Sequence, residues 1–222
     1  MAHLLSVNLG IPRVNEGSDI GVSAIDRRPT ADPVTVRAPG PMHGGLGSGL
    51  IGDQICDTRF HGGDDQALYA YAREDLDGWE AELGRELPGG VFGENLTTVG
   101  LDVNGALIGE RWQVGAEVVL QVTSPRIPCR TFAVWMAEQG WTKRFTLAAQ
   151  PGAYLRIVRE GVIRAGDPVT VLRRPDHQVT VAMTFRALTR EPQLLPQLLA
   201  AEDLPAGIRA KIGRRGAAAE SD

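Results

Sequence analysis

The chain has 222 residues, 43% of them hydrophobic, and a formal net charge of −4 at pH 7. This size and composition are sufficient for one globular domain with a small appendage, and the negative charge argues against strong non-specific binding to nucleic acid. No apolar run reaches the roughly 18 residues of a membrane helix, and no N-terminal basic segment precedes a long apolar one. We therefore expect a cytoplasmic protein that makes no membrane contact.

Short β-rich segments separated by glycine and proline dominate the chain as far as residue 174. In chain order, the clearest predicted strands are residues 4–8, 34–37, 67–71, 118–122, 154–158 and 169–172. Helices are predicted at 73–83, which has acidic residues in its first turn and a glycine after its end, and at 131–139. Many short strands with few helices predict a mainly β fold with some α (α+β), arranged as a barrel or a sandwich.

The character of the sequence changes near Pro175. Residues 180–190, 192–202 and 205–213 are predicted as three short helices, with Pro192 and Pro205 at first-turn positions that tolerate proline. The predicted organisation is therefore a β domain at 1–174, a three-helix domain at 175–213 and a disordered tail at 214–222.

Three consecutive short helices also occur in helix-turn-helix proteins that bind DNA. The basic residues of this segment cluster only at Arg209, Lys211, Arg214 and Arg215, and no helix has the composition of a recognition helix. We favour a small helical domain packed on the β domain, and no nucleic-acid partner.

The cysteine content limits the redox chemistry of the chain. Cys56 and Cys129 are the two cysteines, which is too few for a disulfide framework or for the four thiolates of an all-cysteine iron–sulfur cluster. Electrons for any redox reaction must therefore come from elsewhere. The histidines have no ligand spacing to one another or to a cysteine, so a zinc centre is not expected.

Cys129 lies in an unusual run, residues 124–130 (SPRIPCR). Two prolines stiffen this loop, and Arg126 and Arg130 favour the thiolate form of the cysteine, which is the form that binds soft metals or attacks electrophiles. The alternative is a small buried hydrophobic residue. Cys56 has no comparable setting and is predicted to pack in the core.

Polar residues cluster in two glycine-punctuated runs, residues 52–65 (GDQICDTRFHGGDD) and 93–98 (GENLTT). Backbone amides in glycine-rich turns approach ligands closely and form anion-binding nests. Asn95, Thr97 and Thr98 add side-chain donors for a phosphate or a polar heterocycle. His61 is either a proton donor near neutral pH or a turn residue, and with Cys129 it could also form the nucleophile and base of a metal-free thiol hydrolase.

Taken in order, these segments resemble the MOSC family, the domain named after the C-terminal part of molybdenum cofactor sulfurases, and most closely its YiiM-like branch. Besides Asp57, the resemblance rests on residues 6–8 (SVN), 49–53 (GLIGD), 61–63 (HGG), 67–71 (ALYAY), 92–98 (FGENLTT), 108–110 (IGE), 124–126 (SPR), 128–129 (PC), 152–156 (GAYLR) and 166–167 (GD). It implies a barrel-like MOSC β domain followed by a three-helix domain.

The resemblance also implies a bound molybdenum cofactor, a molybdopterin whose dithiolene holds the metal, with Cys129 as a further metal ligand. The residues expected to bind the cofactor are Asp53, Gly62, Gly63, Asn95, Thr97, Thr98, Arg126, Arg130 and Arg156, of which Arg130 departs from the family pattern. Thiolate suits a soft metal and the arginines suit the pterin phosphate. His61, Asp57 and Glu94 are the candidate catalytic residues beside Cys129, as proton relays.

The implied activity is reduction of N-hydroxylated compounds, such as hydroxylaminopurine bases and amidoximes, with electrons from a separate reductase. The alternative is a protein that carries the cofactor, or sulfur as a Cys129 persulfide, without its own turnover. The expected partners are a small N-hydroxylated substrate and the electron-donor protein, and the sequence leaves a monomer and a homodimer both open.

Overall fold

The computed structural model describes residues 1–219. Its strands are β1 (His3–Val14), β2 (Val22–Pro29), β3 (Val34–Val36), β4 (Leu68–Ala72), β5 (Leu96–Val99), β6 (Arg111–Val114), β7 (Val118–Pro125), β8 (Ala153–Arg159), β9 (Gly161–Ile163) and β10 (Val169–Arg173). Its α-helices are α1 (Arg73–Leu83), α2 (Arg130–Met136), α3 (Trp141–Ala148), α4 (Val181–Thr189) and α5 (Ala206–Ala219). Two 3₁₀ helices cover Asp64–Gln66 and Pro192–Ala200.

Eight strands form one sheet in the order β10-β6-β7-β8-β4-β5-β1-β2, and β3 pairs with β9 in a second, smaller sheet. All neighbours in the large sheet are antiparallel except β4 and β5, which are parallel. Helix α1 and the loop after it make the crossover between these two strands, as a parallel pair requires. The predicted α+β class with a dominant β domain is confirmed.

The start of β1 bonds back to the segment that precedes β10. The Leu4 amide donates to the carbonyl of Asp167 (2.9 Å), and the Val169 amide donates to the carbonyl of Ala2 (2.9 Å). These bonds bring the opposite ends of the sheet together. They give the domain its barrel-like form, although strand pairing within residues 1–219 does not complete a closed barrel.

The two faces of the sheet bury different kinds of side chain. Alternate residues such as Leu68, Leu120 and Leu155 belong to an aliphatic core inside the curved sheet, as the period of two in a strand predicts. On the other side, Phe92 lies at the centre of a second, aromatic cluster. Its ring centroid is 5.0–6.3 Å from those of Tyr71, Trp79, Phe132, Trp141 and Phe145.

The C-terminal helices pack on the sheet. Thr180 caps α4 by accepting a hydrogen bond from the Met183 amide, and Val181 and Leu198 belong to the same aliphatic core as the strands. The middle segment is a 3₁₀ helix rather than an α-helix, and Pro196 inside it has no amide proton to donate. The division into two domains at residue 175 stays a prediction.

The C-terminal end and several elements of the fold differ from the sequence predictions. The predicted tail begins at Arg214, whereas α5 continues to Ala219, and residues 220–222 lie outside the described part of the chain. Strands β2, β5, β6 and β9 and helix α3 were not predicted. No helix within residues 1–219 combines the length and hydropathy needed to cross a membrane.

Replacing Phe92 by alanine removes the ring at the centre of the aromatic cluster. Because Phe92 is fully buried, we expect the free energy of unfolding to fall by about 3–5 kcal/mol. Urea denaturation followed by circular dichroism measures the change. Phe60→Ala is the matched control, since Phe60 is 61% exposed and its loss should cost no more than about 0.5 kcal/mol. Equal losses of unfolding free energy in the two variants would contradict the central position of Phe92 in the aromatic cluster.

Candidate functional site

A cleft opens on the face of the sheet opposite the aliphatic core. Tyr69 on β4 and Tyr154 on β8 form part of its wall; they are directly paired across the two strands, with ring centroids 5.3 Å apart. Because side chains alternate along a strand, these tyrosines point away from the core that receives Leu68 and Leu155. The cleft encloses about 760 Å³ including its open mouth.

Cys129 reaches the cleft from the junction between β7 and α2. It occupies the position before the first turn of α2, in extended conformation, and its carbonyl accepts a hydrogen bond from the Ala133 amide. The side chain is half-buried, lines the cleft and packs against the aromatic cluster. The thiol is therefore held by packed secondary structure while one side of it faces the cleft.

Arg126 is a buried cation in the wall of the same cleft, 7% exposed. Its guanidinium donates to the carbonyl of Phe92 and lies over the rings of Phe132 (4.4 Å) and Tyr69 (5.1 Å). Within residues 1–219 it forms no ion pair with a carboxylate. Burial opposes its charge, but the neighbouring Tyr154, Tyr69 and Cys129 keep the pKa of Arg126 above its usual value, so it stays charged.

Asp53 is a buried carboxylate behind the cleft, and four segments converge on it. It accepts hydrogen bonds from the Gly10 amide (2.7 Å), the Ser48 hydroxyl (2.6 Å), the Asn95 amide group (2.9 Å) and the Arg27 guanidinium (2.9 Å). Burial alone would raise the pKa of Asp53, but Arg27 and the other donors outweigh burial and lower it. Asp53 therefore neutralises Arg27, which lines the cleft.

Glu94 shapes the loop before β5 rather than facing the cleft. Its fully buried carboxylate accepts hydrogen bonds from the amides of Gly90 (2.6 Å) and Phe92 (3.0 Å) and from the Thr97 hydroxyl (3.1 Å). Burial raises the pKa of Glu94 in spite of these donors. The bonds fold residues 90–94 into the turn that presents Gly93 to the cleft.

His61 and Asp57 line the opposite wall, on the loop between β3 and β4. Burial, and secondarily the charge of Arg126, lowers the pKa of His61 below its usual value, so the imidazole is neutral at pH 7. The Arg59 guanidinium, bonded to Asp57 (2.8 Å), is the main cause that lowers the pKa of Asp57 to about 2. Asp57 is therefore ionised and paired, which makes it a poor proton donor.

The structure brings six of the sequence-predicted site residues together. Those that line the cleft are Cys129, His61, Asp57, Gly62, Asn95 and Arg126. Asp53, Glu94 and Thr97 lie behind it in the hydrogen-bond networks above, and Thr98 is buried on β5. Outside the cleft, Gly63 packs against Met42, Arg130 is exposed at the start of α2, and Arg156 pairs with Asp65.

The lining residues that were not predicted include Arg27, Cys56, Tyr69 and Tyr154. Cys56, expected in the core, is half-buried and shares the cleft with Cys129. The tyrosines carried a usable signal, because they occupy outward positions of the predicted strands at 67–71 and 154–158. Arg27 carried none, since its strand β2 was itself missed.

The charges of the cleft favour an anionic ligand. Asp53 balances Arg27 and Asp57 balances Arg59, so the buried charge of Arg126 is left over among the lining residues. Within the described residues, no group of three or more His, Cys, Asp or Glu side chains could hold a metal ion.

Comparison with known proteins finds similarity over most of the chain. The family model described as MOSC domain matches residues 57–170, a span that begins in the His61 wall and includes Cys129. The uncharacterized protein YflK of Bacillus subtilis (strain 168) is 32% identical over 189 residues, which cover 82% of this chain and 79% of that protein.

Two further similarities concern a longer relative and a solved structure. A protein of Gibberella moniliformis named Reductase is 28% identical over 207 residues, and the match covers 91% of this chain but only 35% of that protein. The crystal structure of YiiM from Geobacillus stearothermophilus superposes with a TM-score of 0.76 at 26% identity, covering 97% of this chain and 99% of that one.

The Asp53 network predicts a pH-dependent loss of stability in Asp53→Asn. The substitution leaves Arg27 buried without its counter-charge, so we expect a loss of about 3–5 kcal/mol at pH 7. Because the folded state lowers the pKa of Asp53, the ionised carboxylate stabilises the native chain above pH 4 or so, and that contribution disappears as the pH falls through the folded-state pKa.

Urea denaturation at several pH values between about 7 and 3 tests this. The difference between the native chain and Asp53→Asn should shrink towards low pH. Asp32→Asn removes an exposed carboxylate and serves as control. A difference that stays constant with pH would mean that Asp53 is not ionised in the folded protein.

Proposed function

The chain belongs to the MOSC domain family, and from this membership and the cleft geometry we propose that it binds a molybdenum cofactor through Cys129 and reduces N-hydroxylated compounds. The observation that carries the proposal is a half-buried thiol in the same cleft as a buried guanidinium with no carboxylate partner within residues 1–219. A soft ligand and an uncompensated positive charge are what a metal–dithiolene group with an anionic tail requires.

The lining residues fit a molybdopterin. Cys129 supplies the thiolate, and since the described residues contain no cluster of other metal ligands, the dithiolene would complete the coordination. Arg126 has donors beyond its single bond to the Phe92 carbonyl, and a guanidinium binds phosphate well. Asn95 is fixed by its hydrogen bond to Asp53 (2.9 Å), and its side-chain amide lines the cleft where a polar heterocycle would bind.

When bound, the cofactor supplies the two electrons that convert an N–OH group to N–H and water. The chain's own residues must then deliver two protons and orient the substrate. His61 lines the cleft as a neutral imidazole, which can pass a proton from solvent. Burial also raises the pKa of Tyr154 above its usual value, so its phenol stays protonated and can donate a hydrogen bond to the leaving oxygen.

Glu94 and Asp57 are less suited to proton delivery. The Glu94 carboxylate is occupied by the Gly90 and Phe92 amides away from the cleft, and Asp57 is held as an anion by Arg59. Of the three relay candidates drawn from the sequence, His61 lines the cleft and has an imidazole that can accept a proton and pass it on. With two cysteines in the chain, an internal four-thiolate cluster has no ligands, and the proposal includes a separate reductase as the electron donor. The relative named Reductase supports an oxidoreductase role.

The two cysteines provide a matched test of cofactor binding. Both line the cleft, but the proposal assigns the metal to Cys129. In protein from a host that makes the cofactor, Cys129→Ser should lower the molybdenum content at least about tenfold, whereas Cys56→Ser should keep it. Elemental analysis and pterin fluorescence after oxidation measure both components. Equal loss in the two variants, or no molybdenum in the native chain, would contradict Cys129 as the anchor.

Activity is tested with benzamidoxime and hydroxylaminopurine under a chemical reductant. We expect the loaded native chain to reduce them, and His61→Asn to lower kcat by about 10²-fold without changing the molybdenum content, because a proton relay is lost. His43→Asn, at an exposed loop position outside the cleft, is the control. Full molybdenum content with no reduction of either substrate would instead favour a cofactor carrier.

A further inference from the structure

One wall of the cleft is a segment with very few attachments. Residues 54–61, which we call the strap, contribute Gln54, Ile55, Cys56, Asp57 and His61 to the lining and contain no helix or strand. No hydrogen bond joins the strap to the remainder of residues 1–219. The bonds within it connect Asp57 with Arg59.

Both ends of the strap are firmly anchored, in contrast to its middle. Asp53 precedes it and is fixed by the four hydrogen bonds described above. At the other end, the Gly63 amide donates to the Gly47 carbonyl (3.0 Å) and the Asp64 amide donates to the Gly40 carbonyl (2.8 Å). Gly62 has φ +84°, and a Cβ there would lie 2.6 Å from the Gly47 carbonyl oxygen, so the chain turns sharply at this point.

The opposite side of the cleft is rigid. The hairpin turn at residues 15–21 is tied to α2, because Asn15 donates to the Thr131 carbonyl (3.2 Å) and the Thr131 hydroxyl donates to the Gly17 carbonyl (3.2 Å). This turn carries Asp19, whose carboxylate is 3.8 Å from the guanidinium of Arg59 on the strap. Arg59 thus links the loosely attached wall to the fixed one.

Ile55 provides apolar packing for the strap. Ile55 lies against two glycines: a Cβ at Gly62 would be 3.0 Å from its Cδ1 and a Cβ at Gly47 would be 3.7 Å from its Cβ. The tip of the strap is not packed in this way, since Phe60 is 61% exposed. A segment whose hydrogen bonds all lie within itself, and whose ion pair to the rest of the described chain is exposed, opens more easily than the hydrogen-bonded sheet beneath it.

We propose that the strap swings between its anchored ends to admit ligands to the cleft, and that the ion pair between Arg59 and Asp19 is the latch that holds it closed. The latch is weak by construction, because both side chains are more than half exposed and water and salt screen such pairs. This inference does not depend on the identity of the ligand, on molybdenum or on any activity.

Hydrogen exchange and limited trypsin digestion on the full chain without cofactor test the proposal. In the native chain, amides of residues 54–61 should exchange much faster than those of β7, and trypsin should cut first after Arg59. Asp19→Asn keeps the cleavage site and removes the latch, so both rates should rise about 2–5-fold at low salt. Raising the salt concentration should increase the exchange and cleavage rates of the native chain to the same extent. The rates of Asp19→Asn should stay nearly unchanged.

Asp77→Asn is the matched control. It breaks another ion pair, between the exposed Asp77 and the half-buried Arg73 on α1, and should leave strap exchange and Arg59 cleavage at native rates. Ile55→Ala supplies a second variant, which should accelerate strap exchange while β7 stays protected. The proposal is overturned if Asp19→Asn and Asp77→Asn behave alike, or if the strap exchanges only as slowly as β7, since opening would then require global unfolding.

Discussion

The buried carboxylate of Asp53 is the point on which the cleft depends. One side chain accepts hydrogen bonds from β1, β2, its own loop between β3 and β4, and the segment leading into β5, through Gly10, Arg27, Ser48 and Asn95. A buried charge is tolerated only when it is paired and fully hydrogen-bonded. The same bonds that satisfy this requirement bring four distant segments to one place, neutralise Arg27 and anchor one end of the strap.

A second constraint acts on the other side of the cleft, where the chain must bury a positive charge. Arg126 has aromatic rings and a backbone carbonyl around it instead of a carboxylate. Its charge is thus available to a ligand, whereas those of Arg27 and Arg59 are balanced by aspartates. The site that results is rigid around Cys129 and Arg126 and loosely attached along the strap, an arrangement suited to a large ligand that must enter and then be held.

The accuracy of sequence-based inference here follows from which physical signal each element carries. Strands such as β4, β7 and β8 alternate apolar and outward residues, so periodicity locates them. Strand β5 lacks this alternation, and Thr97 and Thr98 made it resemble a ligand-binding loop. Thr97 is buried nonetheless, and Glu94 and Asn8 satisfy its hydroxyl with hydrogen bonds. Likewise, the sequence assigned Asp53 to cofactor binding, but three of its hydrogen-bond partners, Gly10, Arg27 and Asn95, are distant in sequence. Glu94, assigned as a proton relay, is instead held behind the cleft by Gly90, Phe92 and Thr97.

The amino-acid sequence by itself determined the α+β class, most of the central strands and the setting of Cys129, because these depend on local periodicity, proline stiffness and neighbouring charge. Ordered motifs along the chain also indicated the family. Tertiary structure alone decided that Cys56, Tyr69, Tyr154 and Arg27 share the cleft with Cys129, and that Glu94 and Arg156 do not. The physical reason is that a cleft forms where segments far apart in sequence meet, and strand order, register and buried hydrogen bonds establish which segments those are.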